Sequence, residues 1–240
     1  MDPTVMALAV LAFASTLIGG LTAVRFRKVL QYFFAFASGS LVAASLFGIL
    51  PEALNISASI SFPIKYLMLA AVIAFLGYSL LERYFLTLHH EDTHRTKGRI
   101  LGPIGAIGLS IHSFFDGVAM GAAFQVNPHI GIIVALAVIF DDFTDGINVI
   151  IIMLKHRNHV RRAQMFLLVN ALAPLLGVLV VSAITINPLA LALVLAVFAG
   201  QFLYIGATNL LPETYRHDAV KMSISMTLGV LLIFIATSVV

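Results

Sequence analysis

Cysteine is absent from this chain of 240 residues. That excludes disulfides and thiolate ligands, so any metal bound here is held by oxygen and imidazole. Charge is scarce as well: 10% of residues are charged against 60% hydrophobic, and the mean hydropathy is +1.04. Such a composition excludes an ordinary soluble domain. The first apolar run, Pro3 to Val24, has no basic stretch ahead of it and is too long for a signal peptide, so it reads as a retained first helix. Mid-membrane, His112 is the only histidine and no glutamate accompanies it, so the H-E-x-x-H of an intramembrane zinc protease is not formed there; a serine–histidine arrangement and a glycine-rich phosphate loop are missing too, and an enzyme is not expected. The net charge of +3 is no sign of a nucleic-acid partner, because the placement of the basic residues explains it better.

What the chain does have is eight apolar runs, at roughly 3–24, 30–50, 64–86, 101–124, 130–154, 164–186, 188–211 and 219–240. They predict an all-α polytopic membrane protein, with eight transmembrane helices in one transmembrane domain over residues 1–240. The longest non-apolar stretch, Leu86 to Arg99, carries His89, His90 and His94. These could dock a cation or form an ordinary solvated loop. With eight spans the loops alternate sides, and 13 of the 14 basic residues then share one side, leaving Lys65 alone on the other. This bias puts the basic side in the cytoplasm and both termini outside.

The chemistry lies in the fourth and fifth runs. His112-Ser113-Phe114-Phe115-Asp116-Gly117 and Asp141-Asp142-Phe143-Thr144-Asp145-Gly146 share one pattern: polar groups at positions 1, 2 and 5, then glycine. On a helix, residues four apart stack on one face, so His112 aligns with Asp116 and Asp141 with Asp145. Ser113 and Asp142 lie about 100° round from the first residue of each motif. Two antiparallel helices facing each other bring one imidazole and four carboxylates to one depth, the outline of a divalent cation site. Intramembrane acids are costly unless paired. No lysine or arginine lies mid-span, so the counter-charge is a proton or an imported cation. A structural reading, with polar pairs fixing helix packing, weakens when two matched motifs sit on adjacent helices.

The remaining polar residues have plainer readings. Asn170, Gln201, Tyr204, Thr208 and Asn209 are assigned to helix-packing hydrogen bonds, with lining of the pathway second. Asn127 and His129 flank Pro128, and a turn explains them. An internal echo joins the second and seventh runs: aligning Gly39 with Gly200 sets Leu50-Pro51-Glu52 on Leu211-Pro212-Glu213. Any such relation is one of inverted topology, a common plan in transporters.

These residues resemble the ZIP (Zrt/Irt-like) divalent metal transporters over essentially the whole chain. The two motifs, the second-run stretch from Gly39 to Glu52 and the seventh-run stretch from Gly200 to Glu213 carry the likeness. The resemblance implies a bundle with a 3+2+3 inverted-repeat arrangement and a midplane metal centre. In it His112, Asp116, Asp141 and Asp145 form one metal site. Ser113 and Asp142 contribute to a second, with Asp116 and Asp145 able to bridge. It also implies import of Zn, or Mn, Fe or Co, into the cytoplasm, movement of helices 1, 4, 5 and 6 against the rest, and commonly a dimer. The metal is substrate; no organic cofactor and no nucleic-acid partner is expected. The expected location is the lipid bilayer of a plasma (inner) membrane. The chain departs from the family pattern at Asp141, often histidine, and at Thr144, which replaces a kinking proline. Ala173 stands where a glutamate is common, and Thr208 and Asn209 replace another acid. The rival reading is a proton- or monovalent-cation-coupled transporter using the same acids as a relay. A third is a sensor that binds without transport.

Overall fold

The computed structural model describes residues 3–23, 27–90, 98–156, 158–215 and 218–238, with side chains described except at 27–30, 81–90, 98–101 and 213. His94 lies outside the described residues, as do the side chains of His89 and His90. The described residues are helical with short connections, as expected where lipid offers the backbone no partner and every N–H and C=O must pair within its own segment. We name the helices α1 (Pro3–Ala23), α2 (27–59), α3 (Ile64–His90), α4 (Gly98–Val126), α5 (Pro128–Lys155), α6 (Val160–Ser182), α7 (188–214) and α8 (Ala219–Ser238). Among the described residues, six are long and apolar enough to cross a membrane by length and composition. The described apolar part of α3, Ile64–Leu80, is shorter, and the continuous helix α5 carries three aspartates within its apolar run.

α3 runs on to His90 and α4 starts at Gly98, so the non-apolar stretch expected as a loop is helical at both its ends. Two further boundaries, both beside a proline, differ from the sequence reading for one reason. The second run was expected to end at residue 50 and the seventh at 211, each next to a proline. Instead α2 continues through Pro51 to Ser59, and α7 through Pro212 to Thr214. Each proline follows a widened turn of π-helix, Ala44–Ile49 in α2 and Ile205–Leu210 in α7. There the Leu50 N–H reaches back to the Ser45 carbonyl and the Leu211 N–H to that of Gly206. A proline in a regular helix lacks its own N–H and clashes with the carbonyl four residues back; the wider turn relieves that conflict. Both π turns fall on the register of the Gly39–Gly200 alignment. The two helices are stitched reciprocally: Ser38 Oγ donates to the Gly206 carbonyl at 2.8 Å and Ser45 Oγ to the Ala199 carbonyl at 2.7 Å.

Helix ends are set by local chemistry. Asn127 and Asn187 cap α5 and α7, accepting from the backbone N–H of His129 (2.9 Å) and Ala190 (2.8 Å), each followed by proline at the first helical position. Capping accounts for Asn127. α2 ends in a Schellman turn, with Phe62 N–H bonded to the Ser57 carbonyl (2.9 Å) and Ser61 N–H to that of Ala58 (3.1 Å). Ser61 takes the left-handed conformation there, φ 53°.

The helices pack most extensively as α1 with α5, α4 with α5 and α6, α2 with α8, and α3 with α7. Two groups result, α1/α4/α5/α6 and α2/α3/α7/α8. Glycine permits the closest crossings in the first group. A Cβ on Gly117 would overlap the Pro174 carbonyl of α6, and one on Gly146 would overlap the Thr16 carbonyl of α1. Reciprocally, Gly177 faces the Phe114 carbonyl and Gly19 that of Phe143. Small residues let membrane helices approach backbone to backbone. Here they lock α4 and α5 immediately beside the polar residues of their motifs.

Candidate metal centre

α4 and α5 meet with their motifs level. His112 Nε2 lies 3.1 Å from Asp141 Oδ2, 3.3 Å from Asp116 Oδ2 and 3.9 Å from Asp145 Oδ2. The His112–Asp116 contact is the i, i+4 pair read from the sequence; the contacts to Asp141 and Asp145 cross between helices. Ligand atoms of His112, Asp141 and Asp145 lie within 4.8 Å of one another, close enough for one ion to touch all three. Asp116, Asp141 and Asp145 are buried, and His112 is partly so. α5 stays α-helical through the motif, and Thr144 Oγ1 donates to the Asp141 carbonyl at 2.7 Å.

The other two expected residues divide. Ser113 is buried on α4 and donates to Asp145 Oδ2 at 3.3 Å. Asp142 is fully buried and both its oxygens lack a hydrogen-bond partner, as does Asp141 Oδ1. On α6 the side chain of Asn170 is likewise buried with neither polar atom partnered. Buried polar atoms are paired in most proteins, and each exception calls for an explanation. Four carboxylates and one imidazole without a nearby lysine or arginine make a strongly negative pocket where low polarity magnifies each charge. A multivalent cation suits it.

Two residues of the site were not assigned to it from sequence. Gln201 on α7 sends its Nε2 to Asp116 Oδ1 (3.0 Å) and to His112 Nδ1 (3.0 Å). Tyr78 on α3 brings its hydroxyl to the same Nδ1 at 3.4 Å. Gln201 had been read as a packing residue, and its one signal was an amide in an otherwise apolar run. Tyr78 had no signal, because a single tyrosine in a membrane helix is ordinary.

A cavity reaches the cluster from one side. A cavity of ≈ 380 Å³ is lined by His112, Asp141 and Asp145 and extends past Asn148 and Asn209 to Lys155 and His156 at the C-terminal end of α5. Beyond the cluster on the opposite side, Met120 and Ala123 of α4 and Val134, Ala137 and Val138 of α5 are fully buried. The donors on offer are one imidazole nitrogen and several carboxylate oxygens, a set that accommodates Zn, Mn, Fe or Co.

These features define a polytopic helical membrane protein with a buried histidine–carboxylate cluster fit for a divalent cation. Residues 87–237 match the family described as ZIP zinc transporter, and the chain belongs to that family. Members of it are transporters, not enzymes. Among curated proteins, protein zntA of Dictyostelium discoideum is 36% identical over 128 residues, covering 50% of this chain and 25% of that protein. Zinc transporter ZIP4 of Mus musculus is 31% identical over 127 residues, covering 52% of this chain and 19% of its own length. Zinc transporter ZIP10 of Homo sapiens is 32% identical over 113 residues, covering 47% and 14%. The matched region is thus a quarter or less of these relatives' length.

Proposed function

We propose that this protein imports divalent transition-metal ions, zinc first and Mn, Fe or Co as further substrates, into the cytoplasm by alternating access. The observation that carries this reading is the convergence of His112, Asp141 and Asp145 at the end of a one-sided cavity. Asp116 completes the set around the imidazole. Ser113 and Asp142 are assigned to a second position, for which the unpartnered oxygens of Asp142 speak. The cavity's mouth beside Lys155 is taken as cytoplasmic, in keeping with the bias of basic residues, and both termini as extracytoplasmic.

The 3+2+3 inverted-repeat plan belongs to the same proposal. In its favour are the reciprocal Ser38–Gly206 and Ser45–Ala199 bonds and the matched close approaches at Gly117–Pro174 and Gly146–Thr16. Swapping α2 with α7, α4 with α5 and α1 with α6 exchanges the two members of each set, as a two-fold axis in the membrane plane requires. Movement of α1, α4, α5 and α6 against the rest, a single domain over 1–240, a dimer and a plasma-membrane location complete the reading.

The test is uptake of Zn, Mn, Fe(II) and Co into proteoliposomes by the unaltered protein, Asp145→Ala and His112→Ala. Saturable uptake abolished by both substitutions is the expected result. Proton flux with no metal moved would favour the rival, a relay along the same carboxylates, for which the donor-free oxygens of Asp141 and Asp142 are the supporting observation.

A further inference from the structure

The two helix groups meet sparsely along one seam. α1 barely touches α2 there, and α5 barely touches α8. Between them lies a cleft of ≈ 430 Å³ that shares no lining residue with the cavity leading to the metal cluster. Its walls come from both groups: Phe33 and Phe36 of α2 and Ser225 of α8 on one side, Ser15 of α1 with Phe140 and Phe143 of α5 on the other. The rings meet across the seam, Phe33 on Phe143 at 4.7 Å and Phe36 on Phe140 at 4.8 Å between centroids. Phe33 is 46% exposed and the other three rings are partly exposed, so the cleft opens on the outer surface of the bundle.

Polarity decides what can fill it. Ser15 Oγ donates to the Ile139 carbonyl at 2.6 Å and Ser225 Oγ to that of Tyr32 at 2.7 Å, so both serine hydroxyls are spent on backbone. Among the described residues, no charged side chain and no histidine lines the cleft. The phenol of Tyr32 is the remaining polar group on the wall. Tyr32 stands four residues after Lys28, toward the basic end of α2, and tyrosine is favoured at the level of lipid head groups. An apolar space of this kind stays dry and takes up apolar guests, and its volume is in the range of small-molecule sites. α1, α2 and α8 are each long and apolar enough to cross a bilayer, so the medium outside the cleft is hydrocarbon. Apolar walls without a neighbour forfeit dispersion contacts. A flexible hydrocarbon chain restores those contacts and asks for no hydrogen bond in return.

We propose that this cleft is a binding site for one acyl chain of a membrane lipid, held between the two helix groups against the aromatic face of α5. The inference rests on the membrane-spanning fold and not on the metal site. It has a consequence for transport, because α5 carries both the cleft and the acids: Phe140 and Phe143 flank Asp141 and Asp142 in the chain. A guest held by residues of both groups binds best in the arrangement that shapes its cleft, and it therefore favours that arrangement over others.

The chain contains no tryptophan, so Phe33→Trp places a single fluorophore at the mouth of the cleft. Leu76→Trp, on the exposed face of α3, is the reference for ordinary surrounding lipid. Phosphatidylcholine with brominated chains, which quench on contact, is titrated into each purified full-length variant in detergent micelles. Quenching of Phe33→Trp is expected to saturate at roughly tenfold less brominated lipid than that of Leu76→Trp, and unbrominated lipid should reverse it. The same curve at both positions overturns the site. Ala37 lines the cleft and is buried, so adding Ala37→Leu to Phe33→Trp fills the space and should return the curve to the reference. Ser225→Leu fills it from α8 should the first variant not fold. Tight quenching that survives filling overturns the proposal. Disulfide-linked pairs formed by Phe33→Cys, without tight quenching of Phe33→Trp, would assign this face to a second copy of the chain and overturn it too.

The quenching experiment needs no metal, so its failure is separate from a failure of the transport reading. Ala37→Leu by itself, a cleft kept full, should slow zinc uptake into proteoliposomes while leaving zinc affinity by titration unchanged. An uptake rate equal to that of the unaltered protein overturns the consequence for transport.

Discussion

The hydroxyl of Ser45 on α2 donates a 2.7 Å hydrogen bond to the carbonyl of Ala199 on α7. Its counterpart runs the other way, from Ser38 to Gly206 at 2.8 Å, and all four residues are buried. The two bonds sit seven residues apart on each helix and hold the π turn of each helix against the regular turns that precede the other's. Ser38→Ala and Ser45→Ala are each expected to lower stability by about 0.5–1.5 kcal/mol, the usual range for interhelical hydrogen bonds in membranes. Thermal unfolding in detergent measures this. The double variant should lose about the sum, since neither bond shares a partner with the other.

Glycine positions provide a contrast within one chain. A Cβ at Gly146 would overlap the Thr16 carbonyl, whereas one at Gly77 on α3 meets nothing within 4 Å. Gly146→Ala should therefore force α1 and α5 apart, lower stability by about 1–3 kcal/mol and reduce metal uptake, because Asp145 is its neighbour in sequence. Gly77→Ala should be neutral or stabilising by up to about 1 kcal/mol. Paired melting curves and uptake rates check both; equal effects at the two positions would refute the close-approach account.

Ligand substitutions should rank by distance from the imidazole. Asp141→Ala removes the carboxylate nearest His112 Nε2, whereas the carboxylate of Asp142 makes no hydrogen bond. The expectation is that Asp141→Ala weakens zinc binding by roughly tenfold or more and Asp142→Asn by less. Asp142→Asn should also lower the stoichiometry if a second ion binds. Titration calorimetry reads both quantities. A larger loss from Asp142→Asn would move the principal site off His112.

Ser61 holds a left-handed backbone, φ 53°, at the position in the α2 Schellman turn that glycine usually fills. Ser61→Gly relieves a strain of about 1 kcal/mol while leaving the Phe62–Ser57 and Ser61–Ala58 backbone bonds in place. The added freedom of glycine in the unfolded chain offsets part of that gain. A small rise in melting temperature, with uptake unchanged, is the expected outcome; a fall would mean the serine side chain contributes more than its strain costs.

The sequence by itself determined the helices and the acid-bearing faces. Apolar runs in lipid have no alternative to helix, because unpaired backbone groups cannot be solvated there. Spacing of four then stacks His112 over Asp116 and Asp141 over Asp145 whatever the neighbours do. Local patterns also carried the register of the Gly39–Gly200 echo. They did not carry its consequence, since a proline reads as a helix end until a π turn ahead of it makes room.

Only the tertiary structure decided which groups meet. Gln201 and Tyr78 reach His112 from α7 and α3, 89 and 34 residues away in the chain, and no periodicity links residues so far apart. The same holds for Asp142, legible as an acid of the motif but left without a hydrogen-bonding partner by the packing around α5. Helix propensity and hydropathy act over a few residues; the donor opposite an imidazole is chosen by how whole helices cross, and that is set by backbone contacts such as Gly117 on Pro174 and Gly146 on Thr16.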